Sequence, residues 1–193
     1  MNQEFPEITI NAHSSIRIQG SKTVWFDPYL VKEERHDADV IFITHDHFDH
    51  FSAEDVQRVS KTDTILVTPR NAKNMTVAGL TFETVPAYNI GKKFHPKEKN
   101  WVGYLVTMDG VRYYVAGDTD VTPELLSVQA DVAMLPVGGT YTMTAGEAAE
   151  AAKKMEVPAF IPTHYGSVVG TKSDGEEFKA LLDGSRKVVL KLD

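Results

Sequence analysis

The chain has 193 residues, 42% of them hydrophobic and 24% charged, with a net charge of −7 and no cysteine. That length and composition predict one globular domain over residues 1–193 with a full core. The acidic balance argues against nucleic acid or an anionic membrane as a partner, because both reward basic patches. No stretch reaches the apolar length that spans a bilayer. The lack of cysteine removes disulfides, thiolate metal sites and cysteine nucleophiles together, so any metal must be held by nitrogen and oxygen. Residues 1–6 have neither the basic start nor the apolar core of a signal peptide, and the expected location is the cytoplasm.

In chain order, strands are expected over 7–18 and 22–27, joined by a turn at Gln19-Gly20-Ser21. The apolar run 39–43 predicts a buried strand, and Ser52 with Asp55 three residues on predicts a helix start, the helix running to about Lys61. Residues 64–68 and 80–85 read as further strands. Segments 101–108 and 111–116, separated by Asp109-Gly110, read as a hairpin. Thr122-Pro123-Glu124 predicts a capped helix start with proline at its first position. A buried strand follows over 132–137, and Thr144-Ala145-Gly146-Glu147 fits a capping box opening a helix to about Met155. A short strand over 160–162, a helix over 176–182 and a closing strand over 187–192 complete the series. Strands first, then strands alternating with helices, predict sheets covered by helices, an α/β or α+β layered domain. Residues 86–100 show no periodicity, and loops of that length in compact domains are usually functional or disordered. Lys92, Lys93, Lys97 and Lys99 make this loop locally basic; they read as solvated, the alternative being that one of them contacts a substrate anion.

The run His45-Asp46-His47-Phe48-Asp49-His50 follows the strand 39–43 directly. Imidazole and carboxylate are the donors that zinc, iron and nickel share, and a rigid strand end can aim several at one point. In an extended run His45 and His47 share a side, while a tight turn at Asp49-His50 would turn a second pair toward a neighbouring ion. Two other strands end in a donor: Asp118, after Ala116-Gly117, and His164, after Ile161-Pro162-Thr163.

With these residues in place the chain resembles the metallo-β-lactamase superfamily of binuclear metal hydrolases. The resemblance rests on His-x-His-x-Asp-His (His45, His47, Asp49, His50), Gly117-Asp118, His164 and the early strand-end Asp27 in Phe26-Asp27-Pro28. Ala12-His13-Ser14-Ser15 and Pro136-Val137-Gly138-Gly139-Thr140 make it most similar to the small single-domain metal-dependent hydrolases, relatives of ascorbate-phosphate lactonases and of N-acyl-phosphatidylethanolamine phospholipase D. It implies a four-layer αββα sandwich with two ions, zinc expected and manganese or iron possible, at one edge of the sheets. His45 and His47 would hold the first ion, Asp49, His50 and His164 the second, and Asp118 would bridge them. A water shared by ions roughly 3.5–4 Å apart loses its proton near neutral pH and attacks a carbonyl or phosphoryl centre. Asp49 and Asp118 are then the catalytic carboxylates, with Asp27 and Asp46 expected to fix imidazole tautomers.

The family's third histidine on the first ion is absent. Val85-Pro86-Ala87-Tyr88-Asn89 places Asn89 where it would fall, and His95 lies six residues on. Either His95 folds back to ligate, or His45, His47, Asp118 and water hold that ion alone. His13 is expected beside the ions, or against substrate, rather than on them. Tyr141 and Tyr165 are expected to be packed, and His36 to lie on the surface. The implied reaction is hydrolysis of a small-molecule ester, lactone or phosphodiester; the alternative is a metal-binding protein with a degenerate or di-iron redox site and no hydrolytic turnover. A second copy of the chain, in a homo-oligomer, would help wall the pocket.

Overall fold

A computed structural model of the chain describes residues 7–72 and 75–191. Among the described residues, twelve strands form two sheets. The first runs β1 (Glu7–Ala12), β2 (Ser15–Gln19), β3 (Thr23–Phe26), β4 (Ala38–Phe42) and β5 (Ser60–Val67) in spatial order. The second contains β6 (Met75–Val77), β7 (Leu80–Pro86), β8 (Val102–Met108), β9 (Val111–Val115), β10 (Val132–Pro136), β11 (Ala159–Thr163) and β12 (Lys187–Val188), in the reverse spatial order from β12 to β6. The α-helices of the described residues are α1 (Ala53–Val59), α2 (Pro123–Leu126), α3 (Ala145–Lys154) and α4 (Lys172–Leu182).

Three apolar clusters reveal the layering. Between the sheets lie Ile16, Ile18, Phe26 and Phe42 from the first sheet, with Phe82, Tyr104, Tyr113 and Met134 from the second. On the outer face of the second sheet, Leu135 and Phe160 pack against Ala148, Ala152 and Phe178 of α3 and α4. Behind the first sheet, Trp25 and Ile41 pack with Val59 of α1. Helix, sheet, sheet, helix is the αββα sandwich, the α+β layered fold that the resemblance implies. Burying both faces explains why β4, β10 and β11 read as continuous apolar runs instead of alternating ones.

Several boundaries differ from the sequence expectation. The strand expected over 7–18 is two strands, reversing at His13-Ser14 between Ala12 and Ser15. The register shifts between Ile10 and Ala12, and this irregularity offsets the two-residue reversal: Ile8 and Ile10 pair with Ile18 and Ile16 on one face, and the alternation runs through the turn unbroken. Helix α1 stops at Val59 instead of Lys61, and β5 starts at once. Helix α4 begins at Lys172, four residues ahead of the expected start, with the Asp174 carboxylate accepting from the Thr171 N–H at 2.6 Å. Gly175 hides that first turn in the sequence. It is glycine because a Cβ there would lie 2.6 Å from the Tyr165 ring. The edge strand β6 was not expected, and β12 is only two residues long. Leu192, the end of the expected closing strand, and the signal-peptide reading of residues 1–6 fall outside the described residues. Among the described residues, no helix is long and apolar enough to cross a membrane.

The topology directs chemistry to one edge. Strands β3, β4 and β5 are parallel, as are β9, β10, β11 and β12, so their C-terminal ends point the same way within each sheet. Asp27, His45, Asp118 and His164 all follow those ends, the usual location for ligand-binding groups of parallel sheets.

Candidate metal centre

Beyond β4 the chain stays extended through His47 and then turns: the N–H groups of His50 and Phe51 both donate to the His47 carbonyl, at 3.0 and 2.8 Å. His45 and His47 therefore stay together, their rings 4.6 Å apart, while Asp49 and His50 swing into a different neighbourhood. Asp118 follows β9 through Gly117, which sits at φ +65°; a Cβ there would meet the Thr44 side chain at 3.0 Å. His164 follows β11, and its N–H donates to the His13 carbonyl at 3.0 Å, fastening the β1–β2 turn onto the second sheet. A Cβ on Gly138, at the end of β10, would collide with the His164 carbonyl, so that loop closes around this histidine only with glycine.

These segments gather two groups of donors, each with its donor atoms within 4.8 Å of one another: His13, Asp49, His50 and His164, and His45, His47, His95 and Asp118. They use six of the seven histidines in the chain. Asp118 joins the groups. Its Oδ2 is 3.1 Å from His95 Nε2 and 3.0 Å from His164 Nε2, and its Oδ1 is 3.3 Å from His50 Nε2. His13, expected to stand beside the ions, lies within the donor set instead: its Nε2 is 3.1 Å from Asp49 Oδ2, and its ring is 3.9 Å from that of His164. The sequence hid this because the turn carrying it was read as mid-strand.

His95 folds back. Asn89 is not among the grouped donors but holds the returning loop: its N–H donates to the His95 carbonyl at 2.8 Å. The Asn89 side-chain amide donates to the carbonyls of Phe94 and Tyr141, at 3.0 and 2.6 Å. The Tyr141 carbonyl also lies 3.1 Å from His95 Nδ1. A carbonyl only accepts, so the proton is on Nδ1 and the Nε2 lone pair faces Asp118. The ring of Trp101 packs 4.9, 4.7 and 5.5 Å from those of His45, His47 and His95, a neighbour that sequence reasoning placed only at a strand start.

Asp27 orients both groups at once. Its Oδ1 accepts from the Thr44 N–H at 2.7 Å; its Oδ2 accepts from the Thr44 hydroxyl at 2.6 Å and from His50 Nδ1 at 2.7 Å. With its proton committed to Asp27, the Thr44 oxygen accepts from His45 Nδ1 at 3.0 Å. Both imidazoles thereby have Nδ1 engaged and Nε2 left as the atom that can face a metal, one in each group. Thr44 was not singled out in the sequence, although a hydroxyl immediately before the first histidine was the available signal. Asp46 does not share this role: it is exposed and hydrogen-bonds no imidazole. Asp27→Asn keeps the volume and replaces one acceptor with a donor facing existing donors. We expect it to weaken metal affinity about 10–100-fold, measured by competition with a chromophoric chelator; unchanged affinity would contradict the shared-orientation role.

The electrostatics suit cations. Burial, reinforced by the positive charge of neighbouring His50, pushes His45 well below the usual imidazole range, toward its neutral, ligating form. Burial opposes charge on His50 too, but the Asp118 and Asp27 carboxylates outweigh it and hold this imidazole well above its usual range. Burial likewise opposes charge on Asp118, yet His164 and His50 keep the carboxylate well below its usual range. His50 Nε2, His164 Nε2 and Asp118 Oδ1 are fully enclosed without a hydrogen-bond partner. Buried polar atoms seldom go unpaired, and here they converge with other donors on common points, as a metal site requires. An all-nitrogen-and-oxygen donor set of this kind fits Zn, Mn or Fe. Four residues of the site, His13, Asp27, His95 and His164, hold the left-handed backbone region, with φ of 54°, 45°, 57° and 57°. Such conformations cost about 1–3 kcal/mol each and concentrate where surrounding structure imposes them for function.

Two of the four loop lysines are tied down, not merely solvated. Lys92 pairs with Asp120 and donates to the Thr142 carbonyl, and Lys97 bonds Glu124 at 2.9 Å while lying over the Tyr88 ring. Tyr165 is buried and packed as expected, whereas Tyr141 matters through its backbone carbonyl. His36 is exposed.

Residues 7–164 match the family model described as the Beta-lactamase superfamily domain. This chain belongs to that superfamily. Among its relatives is the UPF0173 metal-dependent hydrolase of Thermococcus kodakarensis, 32% identical over 207 aligned residues covering 92% of each chain. A similar solved structure comes from Parabacteroides distasonis, a protein assigned as a metal-dependent hydrolase, with TM-score 0.80, 31% identity and coverage of 96% of this chain and 93% of that one. Igni18, a metallo hydrolase of Ignicoccus hospitalis, shares the superfamily fold at TM-score 0.74 and 24% identity, over 95% of this chain and 93% of its own.

Proposed function

We propose that this superfamily member is a metal-dependent hydrolase acting on a small ester, lactone or phosphodiester at a two-ion centre. The observation that carries the reading is the meeting of two four-donor groups at the two oxygens of one carboxylate, Asp118. His13, Asp49, His50 and His164 would hold one ion, His45, His47 and His95 the other, with Asp118 shared between them. Bound there, a pair of divalent ions lowers the pKa of a shared water and polarises the oxygen of the bond to be broken.

The remaining chemistry belongs to side chains. Asp49 is the more accessible of the two carboxylates, its side chain 11% exposed against 3% for Asp118. Burial opposes its ionisation, but the His13 hydrogen bond and the charge on His50 keep it ionised, below its usual range. An ionised, partly accessible carboxylate can orient the attacking water and accept its proton at Oδ. Asp27, through Thr44 and His50, keeps imidazole lone pairs aimed inward, while the enclosed walls exclude bulk water. Asn89, bonded to the Phe94 and Tyr141 carbonyls, keeps the loop that delivers His95 in place during turnover.

The test is turnover. Protein reconstituted separately with Zn, Mn and Fe should hydrolyse at least one of a panel of 4-nitrophenyl ester, thioester, lactone and bis(4-nitrophenyl) phosphate probes. Chelation should stop the reaction, and added metal should restore it. Fully metallated protein inactive on every probe class would count against hydrolysis.

A further inference from the structure

Beside the metal centre, past the ends of β4 and β5, lies a cavity of about 550 Å³. His45 and Trp101 form its boundary with the donor groups, and Phe51, Asp46, Arg70 and Lys99 complete the lining that matters chemically. The volume is that of a small-molecule site. A molecule seated there touches His45 directly and the ring that packs on His47 and His95.

The cavity lining carries two cations against one carboxylate, the reverse of the balance in a chain of net charge −7. Arg70 and Lys99 are exposed, face the same cavity, and form no ion pair among the described residues. Asp46, the one carboxylate of the lining, pairs with neither. A guanidinium offers a planar fork matched to carboxylate or phosphate, and an ammonium adds a second point charge. The apolar part is equally specific: Trp101 is half-buried, Phe51 is 39% exposed, and Lys99 Nζ lies 5.8 Å from the Trp101 ring centre.

We propose that this cavity binds the substrate through an anionic end, a carboxylate or phosphate held by Arg70 and Lys99, with a flat apolar group against Trp101 and Phe51. The proposal rests on the hydrolase reading for where the scissile bond lies, but not for binding itself. Cationic side chains and an aromatic wall then select the substrate, and the donor groups beyond His45 cleave it.

Binding and turnover are tested separately on metal-loaded protein. Benzoate and phenylphosphonate, titrated against tryptophan fluorescence, should bind, with neutral benzyl alcohol at least about tenfold weaker. Replacing both cations (Arg70→Ala with Lys99→Ala) should weaken both anions about tenfold or more. The tighter of the two identifies carboxylate or phosphate as the preferred end. Anion affinity that survives the double replacement would place the anions on the metals and overturn the proposal, as would equal affinity for benzyl alcohol. In turnover, the same replacement should lower the kcat/KM ratio of 4-acetoxybenzoate to phenyl acetate about tenfold, through KM. Cation-dependent binding with no hydrolysis of any ester would uphold the cavity and count against the hydrolase reading. Hydrolysis without cation-dependent binding would do the reverse.

Discussion

Asp118→Asn is expected to lower hydrolysis by about a thousandfold or more, the loss of roughly 4 kcal/mol of transition-state stabilisation. The size follows from position. Through its two oxygens Asp118 approaches His45, His95, His50 and His164, reaching both donor groups, whereas Asp49 approaches only His13, His50 and His164. Asparagine preserves the volume but removes the negative charge and turns an amide N–H₂ toward imidazole lone pairs. The charge balance of two cations among neutral imidazoles then rests on Asp49 alone. Metal content should fall together with rate, while circular dichroism shows the sandwich intact. A folded D118N protein that retains both ions and more than about a tenth of the rate would exclude a shared carboxylate.

The second large effect is expected at His95. His95→Ala removes one of three imidazoles from the group His45, His47, His95 and Asp118, leaving two imidazoles and a shared carboxylate. Catalytic metal sites typically keep three protein donors plus an open position, and here the third would be a carboxylate shared with the other ion, leaving only two donors of its own. Metal content should therefore drop from two equivalents to about one at equal free metal, with a matching collapse of rate. Asn89→Ala should produce a milder form of the same defect, about 10–100-fold in affinity, because Asn89 holds the loop that delivers the ring without joining the donors. Unchanged metal content in the His95 variant would leave that ion on His45, His47 and Asp118 alone.

What could be read from the sequence separates cleanly from what could not. The donors that follow strand ends were legible because a buried run and the residue after it are local facts: His45, Asp118 and His164 each close an apolar stretch. The turn at Asp49-His50 was legible for the same reason. His95 was not decided by its surroundings, because its position depends on a loop held by Asn89 and by a carbonyl 46 residues away, at Tyr141. That His13 joins a group of donors was hidden for a different reason. The reversal carrying it keeps the period-two pattern intact, so nothing in the alternation marks a turn. The relay from Asp27 through Thr44 to His45 requires β3 and β4 to be parallel neighbours, a pairing that local pattern does not specify. The early start of α4 was masked by Gly175, whose role is to make room for Tyr165.

Two ions held by two groups of donors underlie the proposed function, and the most direct measurement is metal stoichiometry by inductively coupled plasma mass spectrometry, before and after reconstitution with Zn, Mn and Fe. The expected result is two equivalents per chain for at least one of these metals, falling in the Asp118→Asn protein. No more than a trace of any of the three after reconstitution of folded protein would contradict it.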